Sequence, residues 1–240
     1  MTDVGAQAPP EPSAPILDIF ASRQGEGLCV GDPQIFVRFG GCNLVCDYCD
    51  TPESIPAHSG QPQSLAQVLG RLAGLRDACG SGTVSLTGGE PLLHVKFLER
   101  LIPALRTAGW RVYLETNGTL PQALAKIIHG CDWIAMDFKP ASAIGRDVWE
   151  AHRWFLEMGG NKIFVKMVLT EHTTDSELSR AVALIRRVRS TIPLVLQPAT
   201  PWGGTASVPL ARLASWWRQA TAQLSDVRIL PQVHRWWGLP

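Results

Sequence analysis

Apolar and polar positions follow two alternating periods along this chain. Short apolar or period-two runs predict strands at Ile16–Phe20, Gln34–Phe39, Thr83–Thr87, Arg111–Glu115, Trp133–Asp137, Lys162–Leu169, Pro193–Gln197 and Val227–Leu230. Between them, apolar residues recur at helical spacing. Leu65, Val68, Leu69, Leu72 and Leu75 form one such stripe, with Ser64 placed to cap it and Gly80 to end it. Further helices are predicted at Val95–Thr107, Pro121–His129, Asp147–Met158 and Pro209–Leu224. Pro103 is expected to kink the first of these and Gly109 to stop it. Another helix runs from Thr174 to about Ser190, where Thr174 and Glu177 make a capping box.

Strand and helix in alternation, joined by short turns, predict a parallel sheet with right-handed crossovers. The fold class is therefore α/β. Fewer than eight units are visible, so the expected form is an incomplete, open parallel barrel of about six βα units. Residues 1–15 are Ala/Pro/Gly-rich and aperiodic, and read as a disordered tail. Residues 16–240 show no repeat and no change of composition, which predicts a single domain.

Composition narrows the function. Of 240 residues, 45% are hydrophobic and 18% charged, enough apolar material for a real core, and the formal net charge is only +1. Nothing suggests a nucleic-acid or membrane surface, and no apolar run approaches the roughly 18 residues of a membrane span. The default is a small-molecule substrate. The N-terminus has no signal-peptide pattern, and six cysteines in a well-cored chain do not read as a disulfide framework. A cytoplasmic protein is expected.

Three of those cysteines stand together, as Cys42-x3-Cys46-x2-Cys49. Cys29, Cys79 and Cys131 lack ligand spacing and read as small apolar residues. One short loop can direct three thiolates at a single centre. A structural zinc takes four protein ligands, and an electron-transfer iron–sulfur cluster usually takes four cysteines. Three thiolates on a [4Fe–4S] cubane leave one iron free to bind something reactive. The other chemically unusual stretches also follow strand ends: Gly88-Gly89-Glu90, Glu115-Thr116-Asn117-Gly118, Asp137-Phe138-Lys139 and Gln197-Pro198. Loops converge at that edge of a parallel sheet.

The cysteine spacing, with Tyr48 just before the last cysteine, resembles the signature of radical S-adenosylmethionine (SAM) enzymes. That resemblance implies a [4Fe–4S] cluster on Cys42, Cys46 and Cys49, with SAM on the open iron. It implies that Gly88 and Gly89 let backbone approach SAM and that Glu90 accepts from its ammonium. Glu115, Thr116 and Asn117 would face the ribose, and Lys139 and Gln197 are further candidates for the same ligand. Read as residues alone, Gly-Gly and Asn-Gly are also ordinary turns, and Lys139 is also a solvated loop charge.

Gln24-Gly25-Glu26-Gly27, Phe36-Val37-Arg38 leading into Gly41-Cys42-Asn43-Leu44, and Cys49-Asp50-Thr51 narrow the resemblance. Together with Thr87-Gly88-Gly89-Glu90-Pro91, Gln197-Pro198 and Gln232-Val233-His234-Arg235 they are similar to the 7-carboxy-7-deazaguanine synthases, from about Ile16 to the last residue. Members of that family contract the ring of 6-carboxy-5,6,7,8-tetrahydropterin with loss of ammonia, using Mg²⁺ and a SAM that is regenerated. The resemblance implies an Arg38 fork on the substrate carboxylate, with Gln24 and Glu26 on the pterin edge. It implies Thr51 on Mg²⁺, Thr87 at the substrate, and His234 and the Pro240 carboxylate closing the site. An electron-donor protein of flavodoxin or ferredoxin type is implied as well. The Trp216-Trp217 and Trp236-Trp237 pairs suggest core filling or a homodimer interface. Two alternatives stay open: an activase of glycyl-radical enzymes, and a zinc-binding interaction module with His58 as fourth ligand.

Overall fold

The computed structural model describes residues 12–80, 82–200 and 206–239, the side chains of 78 and 79 excepted. Its strands are β1 (Ser13–Arg23), β2 (Pro33–Phe39), β3 (Gln61–Ser64), β4 (Thr83–Gly88), β5 (Arg111–Thr116), β6 (Trp133–Phe138), β7 (Ile163–Leu169), β8 (Leu194–Pro198) and β9 (Val227–Ile229). They form one sheet in the order β3-β1-β2-β4-β5-β6-β7-β8-β9. From β2 to β9 every neighbouring pair is parallel, whereas β1 runs antiparallel to both β2 and β3. The first and last strands do not pair, so the barrel stays open.

The helices are α1 (Leu65–Cys79), α2 (Val95–Thr107), α3 (Pro121–Ile127), α4 (Ala141–Ile144), α5 (Trp149–Gly159), α6 (Asp175–Arg189), α7 (Leu210–Thr221) and α8 (Val233–Trp237). The expected caps form: Ser64 with Gln67 at α1, and Thr174 with Glu177 at α6. Helix α2 buries Phe97, Leu98, Leu101, Ile102 and Leu105, the i, i+3/i+4 stripe its sequence carries. No helix among the described residues is long and apolar enough to cross a membrane.

Three segments depart from expectation. Strand β1 begins at Ser13 rather than Ile16, because Ser13 to Ile16 pair with Gln61 to Ser64 of β3. Ser13, Ala14 and Pro15 therefore belong to the sheet and not to the tail; residues 1–11 of that tail lie outside the described residues. Strand β3 is polar and contains Pro62, a composition that an edge strand tolerates because one side of its backbone needs no ladder. The helix expected from Asp147 starts at Trp149, and Asp147 instead accepts from the Trp149 amide at 2.9 Å.

Period two along the parallel strands sets the two faces of the sheet. Val84 and Leu86, Val112 and Leu114, Ile134 and Met136, and Val165 and Met167 join the helix-covered core. Their alternates face the concave side. There, Tyr113, Ala135, Phe164 and Val195 form a small apolar layer of their own. One pleat further on, toward the strands' C-terminal ends, stand Arg38, Thr87, Glu115, Asp137, Lys166 and Gln197, one from each of β2, β4, β5, β6, β7 and β8. A polar floor is thus laid over an apolar one.

Candidate active site

That polar layer lines a cavity of ≈ 220 Å³ which also holds Cys42, Cys46 and Cys49. The cysteine loop leaves the end of β2 and is held from several sides. Asn43 donates to Thr119 Oγ1 and accepts from Asn117 Nδ2, both at 2.8 Å, and its carbonyl accepts from Arg146 Nη2 at 2.8 Å. The Gly41 amide donates to Ser54 O at 2.8 Å, and the Cys49 amide to Cys46 O at 3.2 Å. All three thiols are half-buried and unbridged, and burial pushes each above its ordinary range.

The thiols fit a cluster better than a lone ion. Tetrahedral zinc with bonds of about 2.3 Å gathers its sulfurs to roughly 4 Å of one another. Among the described residues the trio of ligand atoms lying within 4.8 Å is Glu26, Asp50 and His234, and not the three thiols. His58, the expected fourth zinc ligand, is exposed and does not line the cavity. Three spread thiolates around one opening suit a cubane.

Gly88 and Gly89 serve the loop as much as any ligand. A Cβ on Gly89 would stand 2.1 Å from Gly41 O, and one on Gly88, whose φ is 125°, 2.3 Å from Phe39 O. Bare backbone is needed for this turn to dock on the cysteine loop. Glu90 is turned into the protein. It is fully buried and absent from the cavity wall. Its Oε1 accepts from Leu92 N at 3.0 Å and Thr116 Oγ1 at 2.9 Å, and its Oε2 from Asn117 N at 2.8 Å. Burial still pushes its pKa up to about 7 against those donors. Glu90 ties the Gly-Gly turn to the end of β5, behind the cavity wall.

Glu115 is also more occupied than expected. It accepts from Gln24 Nε2 at 2.8 Å, Ser85 Oγ at 3.2 Å and Thr87 Oγ1 at 2.9 Å, so it braces the substrate-side residues. Asn117 lines the cavity, but its amide is spent on Asn43 and Thr119. Lys139 is not a solvated loop charge: its side chain is 12% exposed and reaches Asp137 Oδ2 at 2.9 Å and Tyr48 Oη at 3.3 Å. Gln197 is fully buried with both amide atoms unpartnered, and Asp137 Oδ1 is unpartnered too. Both line the cavity, so their free polar atoms are available to a ligand there.

The remaining expected residues gather opposite. Arg38 Nη1 donates to Thr51 Oγ1 at 2.8 Å, and Thr51 donates to Asp50 Oδ1 at 3.1 Å. The Thr51 hydroxyl keeps one lone pair for a hard cation. Gln24 lies 3% exposed with its amide already engaged by Glu115, Gln34 and the Glu26 amide. Glu26 accepts from Lys166 Nζ, and from Gln232 Nε2 at 2.6 Å. Burial would raise its carboxyl, but Lys166 and Gln232 outweigh that and hold it down at about 2. The C-terminal segment brings in His234: Val233 N donates to Gly25 O at 3.0 Å, and Gln232 Nε2 also reaches Asp50 Oδ2 at 3.0 Å. Pro240 lies outside the described residues.

In the sequence, Asp50, Asp137 and Gln232 carry no assigned role beyond their motifs, and Lys166 belongs to none. Lys166 had a signal: it is the one charge in the otherwise apolar run Ile163–Leu169.

Comparison with known proteins matches this geometry. The radical SAM superfamily model fits residues 36–185. The 7-carboxy-7-deazaguanine synthase of Geobacter sulfurreducens is 40% identical, over 95% of this chain and 98% of its own. The chain belongs to the 7-carboxy-7-deazaguanine synthase family of radical SAM enzymes. The family's member from Methanopyrus kandleri is 36% identical over 96% of each chain. The crystal structure of QueE from Escherichia coli shares the fold with a TM-score of 0.65 over 92% of this chain and 94% of that one, at 21% identity. A [4Fe–4S] cluster and SAM are this family's cofactors.

Proposed function

We propose that this chain converts 6-carboxy-5,6,7,8-tetrahydropterin to 7-carboxy-7-deazaguanine with loss of ammonia. One observation carries the reading. The cavity that holds the three thiols also holds a carboxylate-binding cation, Arg38, and an ionised Glu26 beneath a C-terminal segment bearing His234. A planar substrate with one carboxylate and an amino–amide edge matches that set. The relatives' own name supports it.

When bound, the reduced cluster and SAM supply the radical chemistry. The chain's residues do the positioning. Arg38, held by Thr51 and lying 5.4 Å from the Phe20 ring centroid, turns its remaining donors to the substrate carboxylate. Glu26 accepts from the amino edge, and Gln24, locked by Glu115, fixes the turn that carries Glu26. Thr51 would hold Mg²⁺ through its free lone pair, and the ion would supply a hard positive charge beside the substrate carboxylate. Gln197, Thr116, Asn117 and Lys139 line the SAM side. Gln232 and His234 close the cavity and limit water.

An electron-donor protein of flavodoxin or ferredoxin type completes the cycle. Val45, 71% exposed between two cluster ligands, offers an entry surface for it. The exposed Trp217, which donates to Val227 O of edge strand β9, and the exposed Trp236 and Trp237 of α8 support a homodimer. An activase of glycyl-radical enzymes would not require the Gln24, Glu26 and Arg38 set or the C-terminal His234 that line this cavity.

The test compares the wild-type chain with Arg38→Ala and Thr51→Ala under anaerobic turnover. Arg38→Ala should raise the pterin KM by roughly tenfold to a hundredfold, the worth of one charge-assisted bidentate contact. Thr51→Ala should shift the Mg²⁺ dependence and leave the SAM KM alone. Wild-type pterin KM in both variants would sink the reading.

A further inference from the structure

Lys166 is the least expected charge in the cavity. It stands on β7 among apolar neighbours, with its side chain 14% exposed. Its ammonium meets two carboxylates from different parts of the chain: Glu26, from the turn after β1, and Asp137 Oδ2 on β6 at 3.5 Å. Asp137 in turn pairs with Lys139, beside the cysteine loop. Glu26 in turn takes Gln232, which also holds Asp50. Arg235 lies 3.7 Å from Asp50. The chain Lys166–Glu26–Gln232–Asp50 therefore links the sheet, the first turn, the C-terminal segment and the end of the cluster loop. Lys166 joins its Glu26 end to the sheet's concave face on β7, and Thr51 joins its Asp50 end to Arg38 on β2.

Charge counting shows what depends on it. Glu26, Asp137, Glu115 and Asp50 crowd the same cavity. The cations lining it with them are Lys139 near Asp137, Arg235 near Asp50, Arg38 at Thr51, Arg23 donating to Gly31 O, and Lys166. His234 and Tyr113 also face Glu26. Lys166 alone pairs directly with Glu26, among the described residues. Partly buried, with its side chain 16% exposed, Glu26 without that ammonium would face Asp50 across Gln232 with no paired cation.

We propose that Lys166 is a positioning residue for the substrate: through Glu26 it presents an ionised acceptor to the pterin edge and seats the C-terminal segment over the cavity. This rests on the function proposed above. Lys166 does not touch the reacting atoms. Its effect runs through Glu26 into pterin binding, while on the SAM side Asp137 keeps its closer partner Lys139 at 2.9 Å when Lys166, at 3.5 Å, is removed. Losing it frees Glu26 to take up a proton. A protonated Glu26 cannot accept from the amino edge with both oxygens, so pterin binding would weaken as pH falls, which it does not do while Glu26 stays ionised.

The experiment uses the cluster-loaded enzyme with Lys166→Met and Lys166→Arg beside wild type. The pterin KM is measured against pH, the SAM KM and iron content are measured in parallel, and limited proteolysis reads the C-terminal segment. Lys166→Met should raise the pterin KM at neutral pH by about tenfold or more. It should add an acid limb to kcat/KM that the wild type lacks, and speed cleavage near residues 231–239. Iron content and SAM KM should stay at wild type. Lys166→Arg keeps the cation and should recover most of the pterin KM and remove the acid limb. A wild-type pterin KM and pH profile in Lys166→Met overturns the inference. So does an equal loss of iron and SAM affinity, which would make Lys166 a general fold residue, and so does failure of arginine to restore the profile. If wild type itself makes no deazaguanine, the functional reading fails first, and the two failures are told apart in one set of tubes.

Discussion

Replacing Glu90 by glutamine separates two roles that its motif position allows. Its carboxylate serves three donors in a site without solvent: Leu92 N and Thr116 Oγ1 on one oxygen, Asn117 N on the other. Glutamine can keep the first oxygen's partners with its carbonyl. Its NH₂ then faces the Asn117 amide, donor against donor. One buried N–H left without an acceptor costs about 1–3 kcal/mol. For a chain of this size each kcal/mol moves Tm by about 2–4 °C, so Glu90→Gln should lower Tm by roughly 2–12 °C. Alanine strands both backbone amides and should cost about twice as much. The assay is thermal unfolding of cluster-loaded enzyme at fixed SAM, since bound ligand adds to stability by mass action. The SAM KM is measured alongside, well below the transition. An unchanged SAM KM with lowered Tm is expected. A wild-type Tm with a tenfold higher SAM KM, about 1.4 kcal/mol of binding, would show that Glu90 faces SAM after all.

Other outcomes follow from the same geometry. In Gly25→Ala the new Cβ would sit 2.3 Å from His234 Nδ1, so the C-terminal segment must lift; the pterin KM should rise while cluster absorption and pterin-independent SAM cleavage persist. His152 is buried, stacked 4.9 Å from Phe138, and reaches Asn117 O at 3.1 Å; burial brings its pKa from 6.5 down to about 4. A depressed histidine stabilises the fold above its unfolded pKa and loses that contribution as pH falls toward the folded value, here roughly 3 kcal/mol between about pH 6.5 and 4. Tm curves should show a shallower acid loss in His152→Gln; identical slopes would contradict this. Cys46→Ser should abolish iron loading, whereas Cys29→Ser, off the cysteine loop, should leave iron content unchanged.

Much of this fold could be read from periodicity because its strands and helices carry clean patterns. Helix α2 begins and ends where the apolar stripe and Gly109 place it. Strand β3 escaped because Gln61-Pro62-Gln63-Ser64 has no apolar face; only its partner in β1 makes it a strand. Helix α8 is five residues long and stands on contacts with Gly25 and Glu26 that are remote in sequence. The cysteine loop was legible because ligand spacing is local. The bonding of Glu90 was not legible for the converse reason: a motif fixes a residue's place in the chain but not the direction of its side chain. Here the Thr116 and Asn117 donors draw the carboxylate behind the wall. Lys166 reads as a flaw in an apolar strand until the pleat is known, and the pleat turns it onto the concave face beside Asp137.

The most direct measurement of the whole account is the ratio of product to SAM consumed. The cluster-loaded chain is incubated anaerobically with 6-carboxy-5,6,7,8-tetrahydropterin, SAM, Mg²⁺ and a reductant, and deazaguanine, ammonia and SAM are quantified in the same samples. Many equivalents of 7-carboxy-7-deazaguanine, matched by ammonia, with SAM largely conserved, is the result the account predicts. No deazaguanine, with SAM consumed one-for-one, would contradict it.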